Sequence, residues 1–213
     1  MGRCFVSMQL EAKNISFSYS EKSEQVLKNI NIEVKTGERV AILGPSGCGK
    51  STLAKILSGY MTPNEGEVLL DGQPLPQKGF CPVQMIYQHP ELSVNPRHKM
   101  AKILNEAWTP DALLLKEMGI ENEWLSRWPS ELSGGELQRF CIARALAPET
   151  KFLICDEIST MLDVITQAQI WKILLDVADK NELGLVVVTH NRALAQRVCQ
   201  RTVDFQNDFP CDA

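Results

Sequence analysis

Residues 44–52 have the composition and spacing of a loop that binds a polyphosphate. They read Gly-Pro-Ser-Gly-Cys-Gly-Lys-Ser-Thr and fit the pattern G-x-x-x-x-G-K-[ST]. The backbone N–H groups of such a loop can surround the phosphates while its lysine neutralises their charge. This loop alone predicts that a nucleoside triphosphate binds. Its predicted binding residues are Gly44, Pro45, Ser46, Gly47, Cys48, Gly49, Lys50, Ser51 and Thr52.

Two adjacent carboxylates, Asp156 and Glu157, come directly after the apolar run 152–155. They are therefore expected at the carboxyl end of a buried strand, which is where α/β sheets bind ligands. An acid at this edge can hold magnesium together with the Ser51 hydroxyl, and we assign that part to Asp156. An isolated Asp-Glu pair is usually a solvated loop. The apolar run before the pair and the phosphate loop upstream favour the metal site.

The elements that must position these groups are predicted by apolar runs alternating with helical periodicity, a pattern typical of a mostly parallel α/β core. Strand patterns before the phosphate loop, and a hairpin after it, predict an antiparallel β lobe. The predicted strands are 8–12, 15–19, 26–34, 40–43, 67–70, 152–155 and 185–188, the last of them being the last core strand. The predicted core helices are 51–60 and 166–180.

The segment 91–148 differs from the rest because it shows only helical periodicity, at 100–108, 112–118 and 132–146. We interpret it as an inserted helical subdomain. Residues 1–90 and 149–213 then form the catalytic core with its antiparallel lobe, and the whole chain is one domain.

The bulk composition excludes several classes of protein. The length of 213 residues, with 44% apolar residues, leaves no room for two nucleotide-binding domains in tandem. The formal charge of −4 argues against a basic stripe that would bind nucleic acid. The seven cysteines are scattered and lack C-x-x-C spacing, so a zinc site or disulfide framework is not expected and a reducing cytosol is favoured. No apolar run reaches the roughly 18 residues that span a bilayer. If the protein powers transport across a membrane, other polypeptides must form the pore.

A second anion-binding pattern lies on the helical segment. Residues 132–136 read Leu-Ser-Gly-Gly-Glu and precede a periodic helix, so Ser133, Gly134 and Gly135 lie at a helix N-terminus that favours negative charge. An N-cap serine accounts for one of these residues only. Paired with the phosphate loop, the pattern resembles the signature of the ATP-binding cassette (ABC) family. The resemblance implies a P-loop NTPase (RecA-like) fold, ATP and Mg²⁺ as cofactors, and a dimer in which each signature completes the partner's nucleotide site.

The resemblance also implies roles for residues after other core strands. It makes Glu157 the general base that deprotonates the attacking water, with His190 as a γ-phosphate switch and as the alternative base. Gln88 matches the glutamine that contacts the metal and the catalytic water. These residues and Lys50 are the predicted catalytic set; Ser51, Gln88 and Asp156 are the predicted magnesium set.

Two further assignments also rest on the resemblance. Tyr19 matches the aromatic residue that stacks on adenine, although Phe17 lies on the same strand face and is an alternative. Asp163 matches an aspartate that communicates across the dimer and is predicted to belong to the nucleotide site. The sequence 158–163, Ile-Ser-Thr-Met-Leu-Asp, departs from the family's usual Pro at its start and Ser-Ala-Leu-Asp at its end.

Residues 95–97, Asn-Pro-Arg, and 162–170 resemble the peptide/nickel importer branch of the family. The spacing between Gln88 and Ser133 is shorter than is usual there. The implied function is an ATPase that powers import of peptides, nickel or metal chelates. Its expected partners are transmembrane permease subunits, a second cassette and, indirectly, an extracellular solute-binding protein. It would be cytoplasmic, on the inner face of the cell membrane. An exporter ATPase, a translation or repair ATPase and a binding module without turnover are the alternatives.

Overall fold

The computed structural model describes residues 7–20, 24–160 and 162–209. These form two sheets and seven α-helices within the described ranges. The strands are β1 (Gln9–Phe17), β2 (Leu27–Lys35), β3 (Arg39–Leu43), β4 (Glu65–Leu70), β5 (Gln73–Pro74), β6 (Val83–Ile86), β7 (Phe152–Asp156), β8 (Gly184–Thr189) and β9 (Arg201–Asp204). The helices are α1 (Lys50–Leu57), α2 (Met100–Leu104), α3 (Ala112–Glu117), α4 (Gly134–Ala145), α5 (Val164–Asn181), α6 (Arg192–Val198) and α7 (Phe205–Asp208).

The larger sheet has five strands in the order β6-β7-β8-β3-β9, and every strand pair in it is parallel. The predicted parallel α/β core is therefore confirmed. Strands β7 and β8 are buried along their whole length, as expected for a sheet covered on both faces. Their carboxyl ends place Asp156 and the residues after Thr189 at one edge of the sheet.

The prediction that 185–188 is the last core strand was wrong. Strand β9 follows β8 and pairs in parallel with β3 at the edge of the sheet. Only Val203 of this strand is fully buried, and the sequence Arg-Thr-Val-Asp lacks the apolar run that identified the inner strands. An edge strand needs less apolar surface, and for this reason hydropathy did not reveal it.

The smaller sheet is antiparallel, in the order β2-β1-β4-β5, and matches the predicted β lobe. The two stretches predicted to be strand, 8–12 and 15–19, belong to one strand, because β1 runs without a break from Gln9 to Phe17. The polar residues between the two apolar stretches form an irregularity in its pairing with β2, and Asn14 has a φ of 52° there.

Two hydrophobic clusters hold these layers together. One lies between the antiparallel sheet, α1 and one face of the parallel sheet, and includes Leu27, Leu53 and Val186. The other lies on the opposite face, where α4 and α5 pack through residues such as Phe140 and Leu174. Helix α2 packs on α4. Helices α2 and α3 end earlier than predicted, and short 3-10 turns connect this region.

Among the described residues, no helix is long and apolar enough to cross a membrane.

Candidate functional site

The phosphate loop lies between β3 and α1, in the strand-loop-helix arrangement that its motif requires. Gly49 has a φ of 102°, and a Cβ atom added there would lie 2.9 Å from Leu27 Cδ2 and 3.0 Å from the carbonyl oxygen of Val26. Only glycine fits, because the backbone is left-handed and the start of β2 packs against it. The loop therefore turns directly into the N-terminus of α1, where backbone N–H groups and the helix dipole favour an anion.

Lys50 is the first residue of α1 and is buried, with 5% of its surface exposed. Its Nζ atom donates hydrogen bonds to the carbonyl oxygens of Gly44, at 2.9 Å, and Pro45, at 2.6 Å. Cys48 Sγ lies 3.9 Å from the same nitrogen. The ammonium group thus points into the loop. Charged phosphate oxygens are stronger acceptors than these neutral carbonyls, so a triphosphate in the loop would compete for Lys50.

Asp156 ends β7 and is only 5% exposed. Burial raises the pKa of its carboxyl group, and the neighbouring Glu157 adds to this; the hydrogen bond from Ser51 and the charges of Lys55 and Lys50 act in the opposite direction. Ser51 Oγ donates to Asp156 Oδ1 at 3.1 Å. The predicted pair therefore meets in space.

This pair fits the chemistry of Mg²⁺. A buried carboxylate beside a hydroxyl is an all-oxygen donor set, and a divalent cation would compensate the charge that burial disfavours. Within the described ranges, no group of three His, Cys, Asp or Glu side chains could hold a metal by itself. Such a small protein contribution suits Mg²⁺ in a nucleotide site, because the ion keeps several waters and takes phosphate oxygens as ligands.

Glu157 follows β7 in a left-handed conformation, with a φ of 48°, and its N–H donates to the carbonyl oxygen of Val188 at 3.0 Å. Both carboxylate oxygens have partners. His190 Nδ1 lies 3.0 Å from Oε1, and Gln88 Nε2 donates to Oε2 at 3.3 Å. The Glu157 side chain is 14% exposed, whereas the His190 side chain is 55% exposed. The three residues that were predicted after separate core strands therefore form one cluster.

Ser133 is the N-cap of α4. Its hydroxyl accepts from the N–H of Glu136 at 3.3 Å, and the Glu136 carboxylate accepts from the N–H of Ser133 at 2.6 Å. This capping box fixes the start of the helix. A Cβ atom added to Gly134 would meet no atom of the described residues within 4 Å, so the first turn is open on that side. The predicted second anion-binding pattern is thus a preformed helix N-terminus, presented by a different helix from the one after the phosphate loop.

Known proteins that resemble this chain identify the family that carries the phosphate loop, the carboxylates and the N-terminus of α4 together. Residues 27–160 match the family model described as ABC transporter. The chain belongs to the ABC transporter family. Nickel import ATP-binding protein NikE of Escherichia coli O6:K15:H31 (strain 536) is 36% identical over 210 residues, which cover 90% of this chain and 78% of the relative. Nickel import system ATP-binding protein NikE of Staphylococcus aureus (strain bovine RF122) is 38% identical over 217 residues, which cover 95% and 89%.

Solved structures of similar proteins also belong to ATP-binding cassettes. The ATP-binding cassette MJ0796, a dimer in a post-hydrolysis state bound to ADP and Pi, has a TM-score of 0.79 and 27% identity, covering 92% of this chain and 93% of its own. CbiO1 of Clostridium perfringens, part of the ABC transporter complex cbiONQ, has a TM-score of 0.74 and 25% identity, covering 92% and 83%. The present chain is accordingly an ATP-binding, ATP-hydrolysing cassette of a transporter with the P-loop NTPase fold.

The cassette presents the exposed ring of Tyr19 near the phosphate loop. Tyr19 is 62% exposed, whereas Phe17 is 7% exposed and packs edge-on against the Tyr19 ring with centroids 5.1 Å apart. The Tyr19 hydroxyl lies 2.9 Å from Thr52 Oγ1 at the start of α1. Of the two candidate aromatics, only Tyr19 has a face available to a base.

In the cassette, Asp163 caps α5. Its carboxylate accepts from the N–H groups of Ile165 and Thr166, both at 3.0 Å, and from the Thr166 hydroxyl at 2.6 Å. The Thr166 hydroxyl is the largest of the causes that lower the Asp163 pKa. This local role is sufficient to order the residue whether or not it faces a partner. Met161, which belongs to the atypical segment before Asp163, lies outside the described residues.

Sequence reasoning missed Thr160. Its hydroxyl accepts from Gln88 Nε2 at 3.3 Å and donates to the carbonyl oxygen of Glu157 at 3.1 Å. The threonine thus contacts two residues of the predicted catalytic set. A threonine in a loop carries no periodicity or motif, so only the departure of 158–163 from the family pattern pointed to this region.

Proposed function

We propose that this cassette powers import of nickel, or of peptides and metal chelates that similar systems handle, through separate transmembrane permease subunits. The support is the identity of 36–38% with two NikE proteins over most of their length. Residues 95–97 and 162–170 agree with this branch. An extracellular solute-binding protein would then deliver the cargo, and the cassette would lie on the inner face of the cell membrane.

Hydrolysis is assigned to the cluster at the carboxyl edge of the parallel sheet. The loop N–H groups and Lys50 hold the triphosphate, and Tyr19 stacks on the adenine. Mg²⁺, which screens the β- and γ-phosphate charge, would be held by Ser51, Asp156 and Gln88.

Glu157 orients a water molecule toward the γ-phosphorus and takes its proton as the P–O bond to the β-phosphate breaks. The contacts of both Glu157 oxygens with His190 and Gln88 support this role, because they fix the plane of the carboxylate. His190 lies where its imidazole can report the presence of the γ-phosphate to Glu157.

We infer a dimer in which Ser133, Gly134 and Gly135 of each subunit close over the triphosphate of the other. The preformed, open N-terminus of α4 supports this inference, as does the dimeric state of the similar cassette MJ0796. Residues 91–148 then act as the arm that carries the signature, and 1–90 with 149–213 as the catalytic core. The second cassette is either an identical chain or a related one.

Uptake by living cells tests the cargo. In cells deleted for this chain, uptake of radioactive Ni²⁺ should fall to background and should return with the wild-type chain but not with the Glu157→Gln variant. If uptake of labelled peptides is lost while Ni²⁺ uptake stays normal, the imported cargo is peptides rather than nickel. Unchanged uptake of nickel, nickel chelates and peptides would overturn the import proposal.

A further inference from the structure

Gln138 is a buried polar residue on the signature helix that the roles assigned above do not use. It lies in α4, one turn after Gly134, and only 1% of its surface is exposed. A buried amide has four hydrogen-bonding positions to satisfy. Within the described ranges, the Gln138 side chain makes one hydrogen bond: its Nε2 donates to the backbone carbonyl oxygen of Tyr87 at 3.4 Å.

The other end of the same amide is unsatisfied. Gln138 Oε1 is buried and has no hydrogen-bond partner among the described residues. Rotating the amide by 180° would not help, because it would bring Oε1 against the Tyr87 carbonyl oxygen, an acceptor facing an acceptor. Buried polar atoms without partners are rare and costly. An apolar side chain of the same length would avoid this cost, so packing alone does not explain a glutamine here.

The partner of Gln138 places it next to the catalytic cluster. Tyr87 directly precedes Gln88, whose amide donates to the Glu157 carboxylate. A chain of three steps therefore leads from the signature helix through the Tyr87 backbone and the Gln88 side chain to the base. Gln138 and the signature residue Gly134 belong to the same face of one helix, four positions apart.

Helix α4 also holds the far end of the same loop. Arg144 donates to the carbonyl oxygen of Ser93 at 2.7 Å, and the Arg144 side chain also pairs with Glu106 at 3.0 Å. The segment 87–93 is thus attached to α4 at both ends, by Gln138 near Gln88 and by Arg144 after the 3-10 turn Pro90–Leu92. Between these two bonds, Cys141 Sγ of α4 lies 3.9 Å from the carbonyl oxygen of Pro90 and 3.3 Å from Ser93 Oγ. Of these contacts, the Gln138 bond is the one made to the residue directly before Gln88, and it is therefore the one best placed to set the position of Gln88.

We propose that Gln138 is a positioning residue that links the location of the signature helix to the location of Gln88, and through Gln88 to Glu157. The proposal rests on the hydrolytic roles given above to Gln88, Glu157 and the signature. Closure of the signature over a partner's triphosphate would move α4, and the Gln138–Tyr87 bond would carry this movement to the carboxylate of the same chain. The unsatisfied Oε1 is consistent with an amide that gains a second partner when the helix moves.

The test replaces Gln138 by methionine, which keeps the length and flexibility of the side chain and removes its donor and its unsatisfied oxygen. We expect kcat for ATP hydrolysis to fall about tenfold or more, as for misplacement of a catalytic group by a fraction of an ångström to an ångström. The Kd for ATP should stay within about twofold of wild type, because the phosphate loop and Tyr19 are untouched, and Tm within about 2–4 °C.

Gln84→Met is the matched control. Gln84 lies on β6, before the same loop, and its Nε2 also donates to a backbone carbonyl, that of Cys81 at 2.7 Å, rather than bonding to α4. Its replacement should leave kcat unchanged. Gln138→Leu provides a second shape in case methionine packs poorly.

A kcat within about twofold of wild type in either well-folded Gln138 variant would overturn the proposal. So would a parallel loss of kcat, ATP affinity and Tm, or failure of both variants to fold, since these outcomes indicate a structural role. Glu157→Gln, measured alongside, distinguishes failure of the Gln138 proposal from failure of the assignment of Glu157 as the base. If it slows hydrolysis and Gln138→Met does not, only the present inference fails; if Glu157→Gln does not slow hydrolysis, the assigned base fails first. The assay contains no cargo and is independent of what is transported.

Discussion

His190 Nδ1 lies 3.0 Å from Glu157 Oε1, and this contact joins the ends of β7 and β8, which are neighbours in the parallel sheet. Because both residues follow buried strands, the geometry of the pair is set by the core rather than by a mobile loop. The second oxygen of Glu157 is held by Gln88. The two contacts thus orient the carboxylate, and in the proposed role of Glu157 as the base this orientation would lower the entropic cost of the attack by water.

The first prediction concerns the identity of the base. Glu157→Gln keeps the shape of the side chain, but one of its two acceptor oxygens becomes an NH2 donor and the amide cannot take a proton from water. We expect kcat for ATP hydrolysis to fall by about 10²–10⁴-fold while the Kd for ATP is preserved. Turnover is measured by phosphate release and Kd by calorimetry.

The same variant tests the dimer, because blocked hydrolysis should leave the two signatures closed over ATP. Light scattering should then show a dimer with ATP and a monomer without it, and a monomer under both conditions would contradict the proposed arrangement. Glu117→Gln, a change of an exposed helix residue, is the matched control and should behave as wild type. Retained turnover in Glu157→Gln would move the base to another residue, with His190 as the next candidate.

The second prediction concerns Lys50. Its two hydrogen bonds to loop carbonyls are neutral-acceptor bonds, and a triphosphate would replace them by charged ones. Lys50→Ala should therefore weaken ATP binding by roughly 100-fold or more. Calorimetric titration with ATP and Mg²⁺ provides the measurement. Lys102→Ala removes an exposed lysine of α2 and should not change the affinity; an equal affinity of the Lys50→Ala protein would refute the loop assignment.

Much of this site was predictable because its parts are local in the sequence. The phosphate loop is a contiguous motif, and the strands before Asp156 and His190 are short apolar runs. The carboxyl ends of parallel strands meet at one edge, so the meeting of Glu157, His190 and Gln88 followed from the fold class. The capping box of Ser133 and Glu136 is likewise a pattern of residues three apart.

Other parts were not predictable, for two physical reasons. Strand β9 is an edge strand whose polar side chains carry no hydropathy signal. The bonds of Gln88 with Thr160 and of Gln138 with Tyr87 join residues that are 72 and 51 positions apart in the chain. No local pattern marks such pairs. The pairing of β6 with β7 brings the first pair together, and the packing of α4 against β6 brings the second pair together.

The third prediction links stability to pH through Asp156. Burial raises the pKa of this carboxyl above its ordinary value of 3.8, so the folded protein binds the proton more tightly than the unfolded chain does. Ionised Asp156 therefore destabilises the nucleotide-free fold above the raised pKa, and this penalty disappears as the pH falls below 3.8. Asp156→Asn should raise Tm at pH 7, by about 2–4 °C for each kcal/mol relieved, and the gain should shrink toward low pH.

The same substitution should abolish Mg²⁺-dependent hydrolysis, since a neutral amide does not compensate the cation. Differential scanning calorimetry of the nucleotide-free protein between about pH 4 and pH 8 measures the difference in stability. Phosphate release from ATP with and without Mg²⁺ measures hydrolysis. A variant that is less stable than wild type at pH 7 would contradict the assigned cost of burial. Asp111→Asn serves for comparison, because it also replaces a carboxylate by an amide but lies at an exposed helix N-cap away from the sheet edge.

The fourth prediction separates the observed role of Ser133, as N-cap of α4, from its proposed role as a contact for the partner's γ-phosphate. Ser133→Ala removes both, and loss of the cap should cost about 1 kcal/mol of stability. Ser133→Asp keeps the cap, because aspartate accepts from the same backbone N–H and favours a helix N-terminus. It also places a negative charge where the phosphate would bind.

We therefore expect Ser133→Asp to retain the wild-type Tm and ATP affinity of the monomer, yet to lose ATP-dependent dimerisation in the Glu157→Gln background and to lower kcat by about 100-fold or more when Glu157 is present. Ser130→Asp is the matched control. Ser130 is exposed and lies in the 3-10 turn Pro129–Glu131 just before the signature, so its replacement should leave dimerisation intact. Normal dimerisation of the Ser133→Asp protein would show that the N-terminus of α4 does not face a phosphate, and the cross-subunit site would have to be abandoned.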